Sequence, residues 1–208
     1  VVYATLQDFP NAYDDIDHAF ESAGFSAIDQ AVIHNNRGQI YFLERNTALA
    51  LQDFSRAIAL DSTYADYWLN RGILYQVLEE WDKALSDYDT YLDLVPDDSE
   101  VYLNIARIHL AQQDLDNAII GLNSAISVNP GDPELYIFRG SINLLRKAFA
   151  DAAVDYRDWM RLINVTEVEQ DVQTEAANEL TLDMDYGVMH RIPFEASSGD
   201  RLGIVANS

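Results

Sequence analysis

The chain has no cysteine. That removes disulfides, thiolate metal sites and cysteine nucleophiles together, and leaves the compartment open. Basic residues are scarce: 13 Lys and Arg stand against 35 Asp and Glu, a formal net charge of -22. Such a surface opposes nucleic acid and anionic lipid, because phosphates bind where positive groups displace their counterions. No window approaches 18 uncharged apolar residues, so no membrane insertion is expected. The motifs G-x-S-x-G, H-E-x-x-H, G-x-x-x-x-G-K and G-x-G-x-x-G are all missing, and with them the commonest signs of hydrolase, metalloprotease and nucleotide chemistry. The chain opens at Val1 without methionine or a signal-like segment, which reads as a piece of a longer protein or a processed one.

What remains is an ordinary globular balance, 49% apolar and 23% charged. The charge is unevenly placed. Residues 1–30 carry no Lys or Arg, and 65–98 hold nine acids against two bases. The stretch 133–166 is the exception, with Arg139, Arg146, Lys147, Arg157 and Arg161 against four acids.

A period of 34 residues organises the middle of the chain. Gly38 and Gly72 are 34 residues apart, Gly72 and Gly140 are 68 apart, and Ala106 stands between them. Four blocks follow without a gap: 31–64, 65–98, 99–132 and 133–166. Other columns keep the register. Position 4 holds His34, Trp68, Tyr102 and Tyr136, and position 11 holds Tyr41, Tyr75, His109 and Asn143. Position 20 is Ala50, Ala84, Ala118 and Ala152, position 24 is Phe54, Tyr88, Leu122 and Tyr156, and position 32 is Ser62, Pro96, Pro130 and Asn164. Small residues at 8 and 20 let two helices approach, and the rings beside them fill the space. Asp132 before Pro133, and Asp114, are helix start signals. Each block therefore predicts helix A over roughly positions 2–14 and helix B over roughly 18–30.

These columns resemble the tetratricopeptide repeat, W-x2-L-G-x2-Y then A-x3-F then P. Trp68, Gly72, Tyr75, Ala84, Tyr88 and Pro96 match it best. Arg37, Arg71 and Arg139 replace its usual Leu, and Tyr91 and Trp159 stand where it prefers Ala. The resemblance implies an all-α solenoid of antiparallel helix pairs that binds a protein or peptide without catalysis. Residues 1–30 look like a partial earlier repeat and its connection, with Tyr3, Ala12, Ile16 and Ala19 in register and four extra residues within Gly24–Gln30.

The resemblance also implies that A helices line an inner face through positions 2, 5, 6, 9, 12 and 13. Here those positions include Asn35, Asn36, Gln39, Leu69, Asn70, Ile73, Leu103, Asn104, Arg107, Leu110, Ile137, Ser141 and Leu144. Asn36, Asn70 and Asn104 repeat at position 6. Such amides either pair with an extended peptide backbone or bond neighbouring helices, and both readings stand at this point. The apolar run from Leu69 to Leu144 likewise serves a partner, packing, or docking of the chain's own tail. The carboxylate clamp of chaperone-tail binders is excluded. Blocks one to three offer Asn35, Gln39, Asn70, Glu100 and Asn104, matching only at Asn70, and blocks two to four match only at Asn104.

After Thr166 the register fails. Residues 167–180 predict a capping helix carrying Val168, Val172, Ala176 and Leu180 on one face. The period then becomes two. Ile192, Phe194 and Ala196, a turn at Ser197–Asp200, and Leu202, Ile204 and Ala206 predict a β-hairpin. Tyr186–Asn207 resembles the opening strands of bacterial pre-peptidase C-terminal β-sandwich domains, which implies an extracytoplasmic setting and a truncated sandwich within 167–208. His34 and His109 fall in ring columns and read as packing, whereas His18 and His190 have no spaced partner. Asp14-Asp15-Asp17, Asp97-Asp98 and Asp183-x-Asp185 lack EF-type ligand spacing and read as solvated faces or caps. No cofactor or metal is expected. The expected function is a non-catalytic scaffold for a protein or peptide partner. The alternative is a structural spacer or homo-oligomerising module of a larger multidomain protein.

Overall fold

The computed structural model describes Ile16 and residues 26–163, and the backbone of 179–182, 190–197 and 201–204. Among these residues the architecture is the expected all-α array of helix pairs: α1 (Ala27–Leu43), α2 (Thr47–Leu60), α3 (Ala65–Val77), α4 (Trp81–Leu94), α5 (Ser99–Ala111), α6 (Leu115–Val128), α7 (Pro133–Leu145) and α8 (Phe149–Leu162). From residue 65 on, every A helix covers positions 1–13 of the register and every B helix 17–30, each starting one residue ahead of expectation.

The exception is α1, which starts five residues before its expected first residue. Ser26 and Asp29 explain it. The Ser26 hydroxyl accepts the Asp29 N–H at 3.2 Å and the Asp29 carboxylate accepts the Ser26 N–H at 2.9 Å, a reciprocal pair that satisfies two donors at the helix start. The extra residues expected in Gly24–Gln30 thus include the first turn of a longer helix. The expected caps are in place too, with Asp114 accepting from the Asn117 N–H and Asp132 from the Glu134 N–H ahead of Pro133.

Each A helix stops in the same way. Arg45, Glu79, Gln113 and Lys147, all at position 15, have φ of 62°, 58°, 62° and 60°. This left-handed residue folds the chain back so that the next N–H reaches the helix's third-last carbonyl: Asn46 to Tyr41 and Asp114 to His109 at 2.8 Å, Glu80 to Tyr75 at 2.9 Å, Ala148 to Asn143 at 2.8 Å. The position-15 N–H itself bonds the next carbonyl along, as Glu79 does to Gln76 at 3.1 Å. Carbonyls that would be orphaned at the helix end are satisfied, and a three-residue link then starts helix B.

Within a hairpin, contact is set by missing side-chain atoms. A Cβ on Gly38 would lie 2.7 Å from the Phe54 ring, and one on Gly72 2.8 Å from the Tyr88 ring. Ala50, Ala84, Ala118 and Ala152 are fully buried on the opposing B helices. The columns at positions 8, 20 and 24 therefore do what their sizes suggest.

Position 7 departs from expectation in chemistry. Arg37, Arg71 and Arg139 are not apolar substitutes: each reaches the carboxylate sixteen residues on, Arg37 Nε to Asp53 at 2.7 Å, Arg71 Nε to Asp87 at 2.8 Å and Arg139 Nη2 to Asp155 at 2.6 Å. All three carboxylates are buried. Arg71 also lies over the Trp68 and Tyr75 rings, at 5.1 and 5.7 Å from their centroids, so the position-4 and position-11 rings flank its guanidinium. In the third block the pair is replaced as a unit by Ile105 and Gly121.

The chain divides into two compact units, residues 1–108 and 109–208. In the first, Tyr88, Tyr91, Val101 and Ile108 form a core against which Trp68, Leu69, Ile73 and Ile105 pack, joining α3 to α5. Tyr67 closes a second cluster with Ala31, Ala57 and Ile58. In the second unit the buried set is Ala118, Leu122, Ala125, Leu135, Ile142, Ala152 and Tyr156.

Three short strands follow: β1 (Glu179–Leu182), β2 (His190–Ser197) and β3 (Arg201–Ile204). They pair antiparallel in the order β1-β2-β3, with Phe194 opposite Ile204 and Ala196 opposite Leu202. The second pairing is the expected hairpin. The first was not anticipated: Leu180, expected in a helix, stands in β1 opposite Ile192. The rest of that expected helix, residues 167–178, lies outside the described residues. So do Tyr3, Ala12 and Ala19 of the partial repeat, His18, the Asp14 and Asp183 clusters, and the turn at 198–200.

Candidate protein-binding face

Along an A helix, positions 2, 6, 9 and 13 fall within about 60° of arc at 3.6 residues per turn. On α3 these are Asp66, Asn70, Ile73 and Val77. Asp66 and Val77 are exposed, and Asn70 and Ile73 half-buried between them. The same positions give Val32, Asn36, Gln39 and Leu43 on α1, and Glu100, Asn104 and Arg107 on α5. In the first unit α1 and α3 are tied by Asn70 Nδ2 donating to Asn35 Oδ1 at 2.8 Å, and α3 and α5 by their shared core. The three helices thus present one continuous surface.

Every residue expected to line the face except Asn35 is at least partly accessible. Asn36, Gln39, Leu69, Asn70, Ile73, Leu103 and Asn104 are half-buried in the first unit and Arg107 is exposed. In the second unit Leu110, Ile137, Ser141 and Leu144 are half-buried. Asn35, at position 5, is buried beneath the face.

Three of the polar members are already engaged. Asn70 bonds Asn35, Asn104 Oδ1 accepts from Arg107 Nη1 at 3.1 Å, and the Ser141 hydroxyl donates to the Ile137 carbonyl at 2.8 Å. Leu69 and Ile73 divide their surfaces between the core cluster and the face. What α3 and α5 offer on this face is side-chain shape and charge more than open backbone-pairing amides.

Sequence reasoning counted position 13 in the face but did not name its residues, which are the most exposed apolar members. Leu43, Val77 and Leu145, all at position 13, are 48%, 58% and 60% exposed. The signal was available, since position 13 is aliphatic in all four blocks, Ala111 included. Also missed was the meaning of Arg at position 7, which the paired Asp at position 23 could have revealed.

Ionisable groups beneath the face are structural. The Tyr88 hydroxyl donates to Gln76 at 2.6 Å, and burial pushes its phenol well above the ordinary range; burial raises Tyr156 in the same direction. A polar depression lined by His34, Arg37, Gln52, Asp53, Ser55, Arg56 and Ala59 lies over the first ion pair. Its Asp53 carboxylate is held by His34 Nδ1 at 2.9 Å and by Arg37. Among the described residues no three His, Asp or Glu side chains are grouped to hold a metal, and no helix is long and apolar enough to cross a membrane.

Repeated helical hairpins with a ring-and-glycine contact, and an accessible A-helix face, define a helical-repeat protein-interaction scaffold. Two family models, both described as tetratricopeptide repeat, match residues 37–103 and 78–142, and the chain belongs to that family. No curated protein sequence matches it. Among solved structures, the crystal structure of MamA aligns with a TM-score of 0.68 at 16% identity, over 83% of this chain and 95% of that one. The crystal structure of BtubC (BKLC) from P. vanneervenii gives 0.65 at 14% identity, over 87% and 80%. The Arabidopsis OM64 TPR domain gives 0.52 at 14%, over 56% and 97%. At these identities the likeness speaks to the fold alone.

Proposed function

We propose that the chain works without catalysis and captures a segment of another protein on the A-helix face. The observation that carries this reading is the combination, on α1 and α3, of exposed Leu43 and Val77 with half-buried Ile73 and Leu69. Aliphatic side chains left open at one helical position, repeat after repeat, are surface that a partner can remove from water. The buried carboxylates that catalysis would draw on, Asp53, Asp87 and Asp155, are each occupied by an arginine.

One observation favours the second reading, a spacer or self-association module. Asn70 and Leu69 are partly spent inside the stack, as a scaffold with an idle face would have them. A peptide-library screen on the wild type, Val77→Glu and Leu103→Glu, with light scattering, separates the two. Capture expects selected peptides that both variants lose while helicity by circular dichroism is kept. An empty screen with concentration-dependent self-association supports the spacer. Asn70→Ala is a poor probe because it also breaks the Asn35 bond.

A further inference from the structure

The face of the first unit is graded along the helix axis, and the gradient names the chemistry of its occupant. Asp66 and Glu100, exposed at position 2 of α3 and α5, mark one edge beside the exposed Val32 of α1, and Leu43 and Val77, exposed at position 13 of α1 and α3, mark the other. The edges are eleven residues apart, about 16 Å at 1.5 Å rise per residue. Between them the amides of Asn70 and Asn104 are bonded to Asn35 and Arg107. An acid in the first turn stabilises its own helix, which accounts for one carboxylate per helix. It does not account for an aliphatic row at the far end, where exposure is a cost.

We propose that this face receives a cationic amphipathic helix, lying across α1, α3 and α5 with its basic flank toward Asp66 and Glu100 and its aliphatic flank on Leu43 and Val77. The proposal rests on the capture reading above and adds the partner's chemistry. A helix about 10–12 Å wide, with Lys or Arg reaching beyond its edge, spans the 16 Å. It needs no backbone partners, which suits a face on which Asn70 and Asn104, two of the three position-6 amides, are bonded within the stack, whereas an extended strand would look to such amides to pair its own N–H and C=O groups. Charge disfavours a second copy of this chain, since each carries -22. Among the described residues Arg107, exposed at position 9, is the one cation on the path and opposes such an occupant.

The test uses the full chain and a fluorescein-labelled 18-residue peptide of leucine and lysine, with leucines on one helical face, followed by anisotropy. A scrambled peptide of the same composition is the control. The proposal expects the patterned peptide to bind at least tenfold more tightly than the scramble. Asp66→Lys with Glu100→Lys, and Val77→Glu alone, should each weaken it tenfold or more, and Arg107→Ala should tighten it. Asp151→Lys, on exposed surface of α8 outside this unit, should leave it unchanged. Equal binding of the scramble, or an equal loss in Asp151→Lys, would mean diffuse attraction to an acidic protein and overturns the proposal. Sedimentation showing a dimer that Val77→Glu dissolves would make the occupant a second copy and also overturns it. If library peptides without basic residues bind and are lost in Val77→Glu, the cationic helix falls while capture on this face stands; if no ligand depends on Val77 or Leu103, both fall.

Discussion

At the scale of single residues, the hairpins depend on what certain positions lack. A methyl group at Gly72 would stand 2.8 and 2.9 Å from two carbons of the Tyr88 ring, which is fully buried and cannot swing away. Gly72→Ala gains about 1 kcal/mol of helix propensity but meets overpacking of about 1–3 kcal/mol, so a net loss near 1 kcal/mol is expected in urea melts. At Gly140 the nearest atom is 3.2 Å away, and Gly140→Ala should be close to neutral by the same measurement. The opposite change applies at position 15, where Glu79 holds φ at 58° without being glycine. Glu79→Gly relieves a left-handed strain of about 1–2 kcal/mol, partly offset by glycine's freedom in the unfolded chain. A gain of roughly 0.5–1 kcal/mol should appear as a raised melting temperature. The two cases also mark what the sequence could disclose. A missing Cβ against a ring leaves a column of Gly and Ala that anyone can align. A left-handed turn imposed by backbone bonding leaves Arg, Glu, Gln and Lys, which share no chemistry and so no visible column.

At the scale of paired elements, the arginine of helix A and the aspartate of helix B act as one unit. Asp87 is only 3% exposed, so removing Arg71 strands a buried carboxylate, at a cost of about 3 kcal/mol for Arg71→Leu. The third block uses Ile105 and Gly121 at the same two positions, which indicates that an apolar pair fits the site. Arg71→Ile with Asp87→Ala should therefore return to within about 1 kcal/mol of wild type, and the two single variants should not add. Purely additive losses in the denaturant cycle would argue that the pair is not coupled. Helix starts respond to pH in a calculable direction. Side-chain and backbone bonds to Ser26 lower the Asp29 carboxyl, and the backbone bond from Asn117, with its side-chain bond second, lowers Asp114. Their stabilisation is complete above the unfolded carboxylate value of about 4 and is lost as pH falls through the lower folded values. Thermal melts from pH 7 to pH 2 should show this acid limb, and Asp114→Asn should shrink it. The Asp114 cap was legible because it precedes an apolar run in register. The Ser26–Asp29 pair precedes a stretch outside the register, which is why the early start of α1 escaped notice.

At the scale of the whole molecule, the candidate face was legible only in outline. The family resemblance selected Leu69, Ile73, Leu103 and Ile137 by their place in the register, yet it could not say how much of each side chain the stack consumes. Leu69 and Ile73 are shared with the core, whereas Leu43 and Val77 at the helix end stand open. Only packing decides that division. The charge of -22, by contrast, is fully visible in composition and has its own consequence. Asp66, Glu100 and their exposed neighbours repel one another through solvent, where screening acts over about 30 Å at 0.01 M salt and 8 Å at 0.15 M. The three buried Arg–Asp pairs are attractive contacts of 2.6–2.8 Å with little water between the charges, and salt weakens them far less. Raising the ionic strength from 0.01 to 0.15 M should therefore remove more repulsion than attraction, and the melting temperature should rise. A melting temperature that falls over that range would mean that exposed pairs such as Arg146–Asp116 outweigh the repulsion, and that the acidic surface does not strain the fold.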